Sequence, residues 1–85
     1  MTAFRVSVHI TPRRGILDPQ GKAVAGALHS LGFEGVNDVH VGRYVIVETN
    51  ADNAAAAETA VRSMCERLLA NPVIEDFEIQ SAEPE

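Results

Sequence analysis

Four apolar side chains, Phe4, Val6, Val8 and Ile10, alternate with Arg5, Ser7, His9 and Thr11 near the start of the chain. A period of two puts every apolar member on one face of a strand, so the rest of the chain must cover that face. The chain has 85 residues, 46% of them hydrophobic, which fits one domain. At this mass a compact fold exposes about 4,900 Å² against about 13,200 Å² unfolded, so about 63% of the surface is buried. That is a thin core, and domains of this size gain burial by association.

Downstream, Pro12 removes a strand donor, and Arg13-Arg14-Gly15 reads as a loop leading to Ile16 and Leu17. Asp18-Pro19 is a helix start, with Asp18 as cap and Pro19 where no amide proton is needed. Val24, Ala27, Leu28 and Leu31 fall on one helical face. Gly32 then suits a left-handed helix end, with Phe33 folding back on Leu28. Gly21 and Gly26 cost this helix about 1 kcal/mol each relative to Ala, which either a close backbone neighbour or simple tolerance of glycine accounts for.

Residues 36–41 and 44–49 are extended, β-branched runs separated by Gly42-Arg43, a pair that suits a type II′ hairpin. Asp52 or Asn50 caps a second helix whose apolar face is Ala54, Ala57, Val61, Met64, Cys65 and Leu68, and Asn71-Pro72 stops it. Residues 73–80, with Phe77 and Ile79 alternating, form the last strand, and residues 81–85 fray. The order β-α-β-β-α-β predicts an α+β fold: a ferredoxin-like two-layer sandwich, with two helices on one face of a four-stranded antiparallel sheet. Tyr44, Val45, Ile46 and Val47 are apolar at successive positions, so they present nonpolar groups on both sheet faces. Helices cover only one, which predicts a homo-oligomer formed through the sheet.

The net charge of −5 has the wrong sign for a nucleic-acid binder. It is also uneven: residues 1–43 carry five basic against three acidic side chains, and residues 44–85 carry two against nine. No apolar run reaches the ~18 residues needed to cross a bilayer. The single Cys65 forms no internal disulfide and no signal-peptide pattern opens the sequence, so a cytoplasmic location is expected.

Chemistry is sparse. His9, His29 and His40 lack metal-ligand spacing, and Cys65 sits on an apolar helix face. Ser7, Ser30, Ser63 and Ser81 lack the context of a nucleophile elbow, and no lysine-bearing phosphate loop is present. Glu75 and Asp76 point to opposite sides of a strand, as a solvated rim would. Arg13 and Arg14, just before a helix start, are a weak anion-site candidate. No catalytic residue and no metal site is assigned.

The stretches Leu17-Asp18-Pro19-Gln20-Gly21-Lys22-Ala23-Val24 and Leu28-His29-Ser30-Leu31-Gly32-Phe33 closely resemble the PurS family, the small subunits of bacterial phosphoribosylformylglycinamidine synthase. The likeness continues through Val39-His40-Val41-Gly42-Arg43-Tyr44 and Met64-Cys65-Glu66-Arg67-Leu68-Leu69-Ala70-Asn71-Pro72-Val73-Ile74-Glu75, and spans about residues 4–80. Arg43 and Arg67 stand where the family often has lysine, which keeps the charge.

The resemblance implies the fourth step of purine biosynthesis, the amidation of formylglycinamide ribonucleotide using ATP, magnesium and glutamine. It implies that a large synthetase subunit and a glutaminase subunit hold the active sites. The small subunit then binds no cofactor, bridges the two, supports ammonia transfer and assembles as a homodimer or homotetramer. Partner-contact candidates on the matching motifs are Asp18, Pro19, Gln20, Gly21, Lys22, Gly42, Arg43 and Tyr44. Capping, turn formation and packing account for Asp18, Pro19, Gly42 and Tyr44, whereas Gln20, Lys22 and Arg43 have no evident structural duty. Two other classes fit a domain of this size: a regulatory amino-acid-binding module like the ACT domains, and a small enzyme of the acylphosphatase kind resting on the Arg13-Arg14 loop.

Overall fold

A computed structural model describes residues 1–15 and 18–85; Ile16 and Leu17, read above as the end of a loop and the start of the first family-like stretch, lie outside the described residues. Strand β1 (Thr2–Pro12) is the centre of a three-stranded antiparallel sheet, flanked by β2 (Arg43–Ala51) and β3 (Glu75–Pro84). The alternation that opens the sequence does what it predicts. Val6, Val8 and Ile10 are wholly buried and Phe4 nearly so, each large side chain contributing roughly 1.5–3 kcal/mol.

Helix α2 (Ala54–Met64) covers that face with Ala57, Val61 and the following Cys65, buried at intervals of four. Its cap is Asn53, whose Oδ1 accepts from the Ala56 amide at 2.8 Å, and neither Asn50 nor Asp52 serves. Asn50 is still part of β2, and Asn53 is the extended residue directly before the first helical turn, the place from which a side chain reaches that amide. The helix then widens into one π turn, Cys65–Leu69, in which the Ala70 amide reaches the Cys65 carbonyl at 3.0 Å. The widened turn brings Leu69 to the edge of the core and leaves Leu68, expected inside, 83% exposed.

Helix α1 (Pro19–Ser30) begins as expected, with Asp18 as its cap and Pro19 at its first position. It ends as expected too: Gly32 adopts φ 97°, its amide reaches the His29 carbonyl, and the Phe33 amide reaches that of Leu28. Its placement is different. Among the described residues, no member of α1 belongs to the core cluster; only Gly21 and Ala25 are buried. The molecule is accordingly elongated, 52 × 26 × 14 Å.

No strand forms at residues 36–41, so the sheet of the described residues has three strands and not the expected four. Amides of that run are claimed by side chains instead: Val39 N donates to Asp38 Oδ1 at 2.9 Å and Val41 N to Asp18 Oδ2 at 2.8 Å. No type II′ turn follows, because Gly42 lacks the positive φ such a turn needs. Glycine is required there by proximity, since a Cβ would lie 2.5 Å from the Ile10 carbonyl oxygen.

Two further expectations change. The end expected to fray is in fact paired: β3 runs to Pro84, with Ala82 opposite Val6 and Glu83 opposite Arg5, because the strand shifts register at a bulge between Ser7 and Val8. On β2, Val47 and Val45 stand opposite Val6 and Val8 and pack against the core, so neither faces away from the helices. The outward members are Tyr44 and Ile46, opposite His9 and Ser7. Around them the open face is polar, with Arg5, Glu48, Asp76, Glu78 and Glu83. The apolar open face expected from residues 44–47 therefore reduces to two side chains. No helix among the described residues is long and apolar enough to cross a membrane.

Candidate functional site

The end of the sheet where β1 stops and β2 and β3 start gathers most of the candidate residues. Asp18 makes the first link. Its Oδ1 accepts from the Gly21 amide at 3.1 Å and its Oδ2 from the Val41 amide at 2.8 Å. These amides, Val41 first and Gly21 second, hold the Asp18 carboxyl below its ordinary value. One carboxylate thus ties the start of α1 to the run that enters β2. Gly21 completes the junction, since any Cβ there would collide with the Val39 carbonyl. Gly26 has no such neighbour among the described residues. A cleft of about 170 Å³ lies at the junction, lined by Pro12, Asp18, Pro19, Gln20, Val41, Ile74 and Glu75.

Glu75 makes the second link. Its Oε1 accepts from the Asn71 amide at 2.8 Å and from Arg43 Nη2 at 2.6 Å, and the same guanidinium nitrogen donates to the Leu69 carbonyl at 3.1 Å. The Asn71 amide first, then Arg43, holds the Glu75 carboxyl below its ordinary range. The expectation that Arg43 lacks a structural duty is therefore corrected. It secures the end of the π turn and the start of β3 to β2. Glu75 is likewise no solvated rim residue: it points to the core side, whereas Asp76 points to the open face.

Arg13 makes the third link, with its amide on the Ile74 carbonyl at 2.7 Å, Nη2 on the Pro72 carbonyl at 2.8 Å and Nε 3.4 Å from Asp76. A second cleft of about 370 Å³ beside it also contains Cys65, Glu66, Glu75 and Asp76. Arg13 is engaged and its surroundings are acidic, so the geometry does not favour an anion site at Arg13. Arg14 is exposed and makes no ion pair among the described residues.

Gln20 and Lys22 project from the first turn of α1 with no side-chain partner among the described residues, and Gln20 is exposed, as is Lys22. Tyr44 is exposed on the open face, its ring edge-on to His9 with centroids 5.7 Å apart. Cys65 is fully buried, and burial pushes its thiol up, the reverse of nucleophile activation. No group of three or more metal-ligating side chains occurs among the described residues. The site consists of a braced rim, two clefts and exposed polar side chains, an arrangement suited to binding another surface. Sequence reasoning missed Glu75 and Asn71 as its brace. Their spacing across Pro72 was the available signal, because a carboxylate beyond an Asn-Pro turn can reach back to its amides.

The PurS family, described as phosphoribosylformylglycinamidine (FGAM) synthase, matches residues 5–83. The PurS subunit of Bacillus subtilis is 40% identical over 80 residues, covering 94% of each chain. That of Mycobacterium leprae is 47% identical over 75 residues, 88% of this chain and 91% of the relative. Among solved structures, B. subtilis PurS superposes with a TM-score of 0.79 at 40% identity, covering 94% of this chain and 98% of that one. A chain of the PurLQS structure from Thermotoga maritima gives 0.83 at 29% identity, with 94% and 98% covered.

Proposed function

The chain belongs to the PurS family and is the PurS subunit of phosphoribosylformylglycinamidine synthase in purine biosynthesis; from this we propose that it docks the other subunits and carries no active site of its own. In this reading a large synthetase subunit uses ATP and magnesium, a glutaminase subunit supplies ammonia, and this cytoplasmic chain holds the two in productive register. The PurLQS structure that contains a similar chain supports an assembly of this kind.

One observation carries the proposal. Motif segment 18–22 is tied through Asp18 to Val41, the residue before segment 42–44, and Arg43 of that second segment is braced by Glu75, while Gln20 and Lys22 stay exposed. Ammonia made at one site is useful at another only if the two sites are held together, which is a positioning effect. Changing Gln20 and Lys22 together to Ala should leave the melting temperature of the isolated chain unchanged. In the reconstituted enzyme it should weaken assembly by about 1 kcal/mol or more for each buried intersubunit hydrogen bond removed. Glutamine-dependent synthesis should fall, and synthesis from free ammonia should hold. Full assembly with an unchanged ratio of the two rates would place the docking surface elsewhere.

A further inference from the structure

The open face of the sheet has relief. Strand register sets Ile46, Ser7 and Ser81 side by side in one row across the three strands. Two of the three are small, and Ser7 is only 6% exposed, so this row is the floor of a trough. One wall is the row Tyr44, His9 and Glu78, and the other is Glu48, Arg5 and Glu83. The walls stand four residues apart along β1 and β2, about 14 Å, wide enough for one ridge of a neighbouring surface.

The trough has the anatomy of a contact surface, an apolar and aromatic centre inside a charged rim. Tyr44 is 58% exposed, and its ring is held edge-on by His9. A tyrosine fixed in this way meets a partner with little further loss of freedom and is a residue type that dominates interface energetics. The rim has one sign. Arg5 is engaged by Glu48 at 3.7 Å, and Glu78 and Glu83 make no ion pair among the described residues. A second copy stacked on this face about a two-fold axis would bring like charges together, and an acidic or phosphate-bearing surface would be repelled. The face is complementary to a basic surface.

We infer that the open face of the sheet is a docking surface for a basic surface on another subunit of the enzyme, with Tyr44 and Ile46 at its centre and Glu48, Glu78 and Glu83 on its rim. The inference rests on the reading of the chain as a docking subunit. A bridge needs two surfaces; the Gln20 and Lys22 rim supplies one, and the acidic face is the second, taking a partner surface of opposite charge.

The test uses the full-length chain and the purified synthetase and glutaminase subunits. Glu78→Lys with Glu83→Lys should raise the dissociation constant for assembly about 30-fold at 0.1 M salt. The effect should shrink to about threefold at 0.5 M, where exposed charges are screened. Tyr44→Ala should raise it about 10-fold at either salt concentration, and Tyr44→Phe should leave it unchanged. None of these changes should alter self-association of the chain. If the double variant does not fold, a second measurement decides. Ile46→Cys in the otherwise intact chain, coupled to a short thiol-to-amine cross-linker, should be captured by another subunit and not by a second copy. A folded double variant that assembles as tightly as the parent at low salt would overturn the inference. So would cross-linking at position 46 only between copies. The docking role would still stand in either case, whereas a parent chain that assembles with neither subunit would remove that role itself.

Discussion

Removing the Arg43 side chain tests the brace at the candidate site. The guanidinium makes two contacts through one nitrogen, 2.6 Å to the Glu75 carboxylate and 3.1 Å to the Leu69 carbonyl. A hydrogen bond between charged groups contributes about 1.5–3 kcal/mol when shielded, and exposed pairs about 1 or less. Here the arginine side chain is 53% exposed and the glutamate 19%, so about 1 kcal/mol is the appropriate share for the pair. The neutral contact to Leu69 adds about 0.5 kcal/mol, because water replaces part of it. Arg43→Ala should therefore cost about 1.5 kcal/mol, which for a domain of this size lowers the melting temperature by about 6–12 °C. Arg43→Lys should cost far less, since one ammonium carries enough donors for both acceptors. Calorimetry at one fixed protein concentration for parent and variant reads the shift. A double-mutant cycle with Glu75→Gln should return a coupling of about 1 kcal/mol. An Arg43→Ala midpoint within about 2 °C of the parent, with no coupling to Glu75, would refute the bracing role. Arg43 would then rejoin Gln20 and Lys22 as a contact residue.

Asp18 and Glu75 both hold their protons less tightly in the folded chain than their ordinary values of 3.8 and 4.5; the stability they contribute is complete above those values and is lost as pH falls through the lower folded ones. An acid titration followed by circular dichroism should show Asp18→Asn and Glu75→Gln flattening that dependence, and an unaltered acid limb in both would contradict the assignment. Cys65 is buried with its thiol pushed up, so a thiol-reactive dye should label it at the rate of global unfolding and rapidly in denaturant; fast labelling of the native chain would mean that the π turn opens locally.

Sequence reasoning succeeded where a pattern is local and refers to one neighbour. The alternation of β1, the Asp18 cap, the Gly32 helix end and the α2 face at Ala57, Val61 and Cys65 are each decided by a few adjacent residues. It failed where a group's partner lies far along the chain. Residues 36–41 have the composition of a strand, but the amide of Val41 is taken by a carboxylate 23 positions away. Arg43 looked unoccupied because its partner, Glu75, is 32 positions away across a turn. The Leu68 error has another source: the hydrophobic period was extended at 3.6 residues per turn into a segment that winds more widely.

The apolar periodicity of α1 is a different kind of disagreement. Val24 and Leu31 follow the helical period as expected, and the helix forms, yet within one chain that face stays outside the core. Residues 36–41 lack a strand partner as well, so the two departures from a four-stranded sandwich arise from one displacement: α1 and its return run stand off the sheet together, joined to each other by Asp18 and Gly21. A sequence that is consistent at the level of each element but leaves a face unfilled within one chain predicts that the face is covered from outside it. Judged on a single chain, Leu31→Glu is a harmless change, since an exposed leucine replaced by glutamate ordinarily alters stability little. Its effect should appear only in the dependence of stability on protein concentration, which thermal melts across a dilution series read directly. That dependence should be clear for the parent chain and weaker for the variant; a parent midpoint that does not move with concentration would refute the expectation that a second copy covers the α1 face.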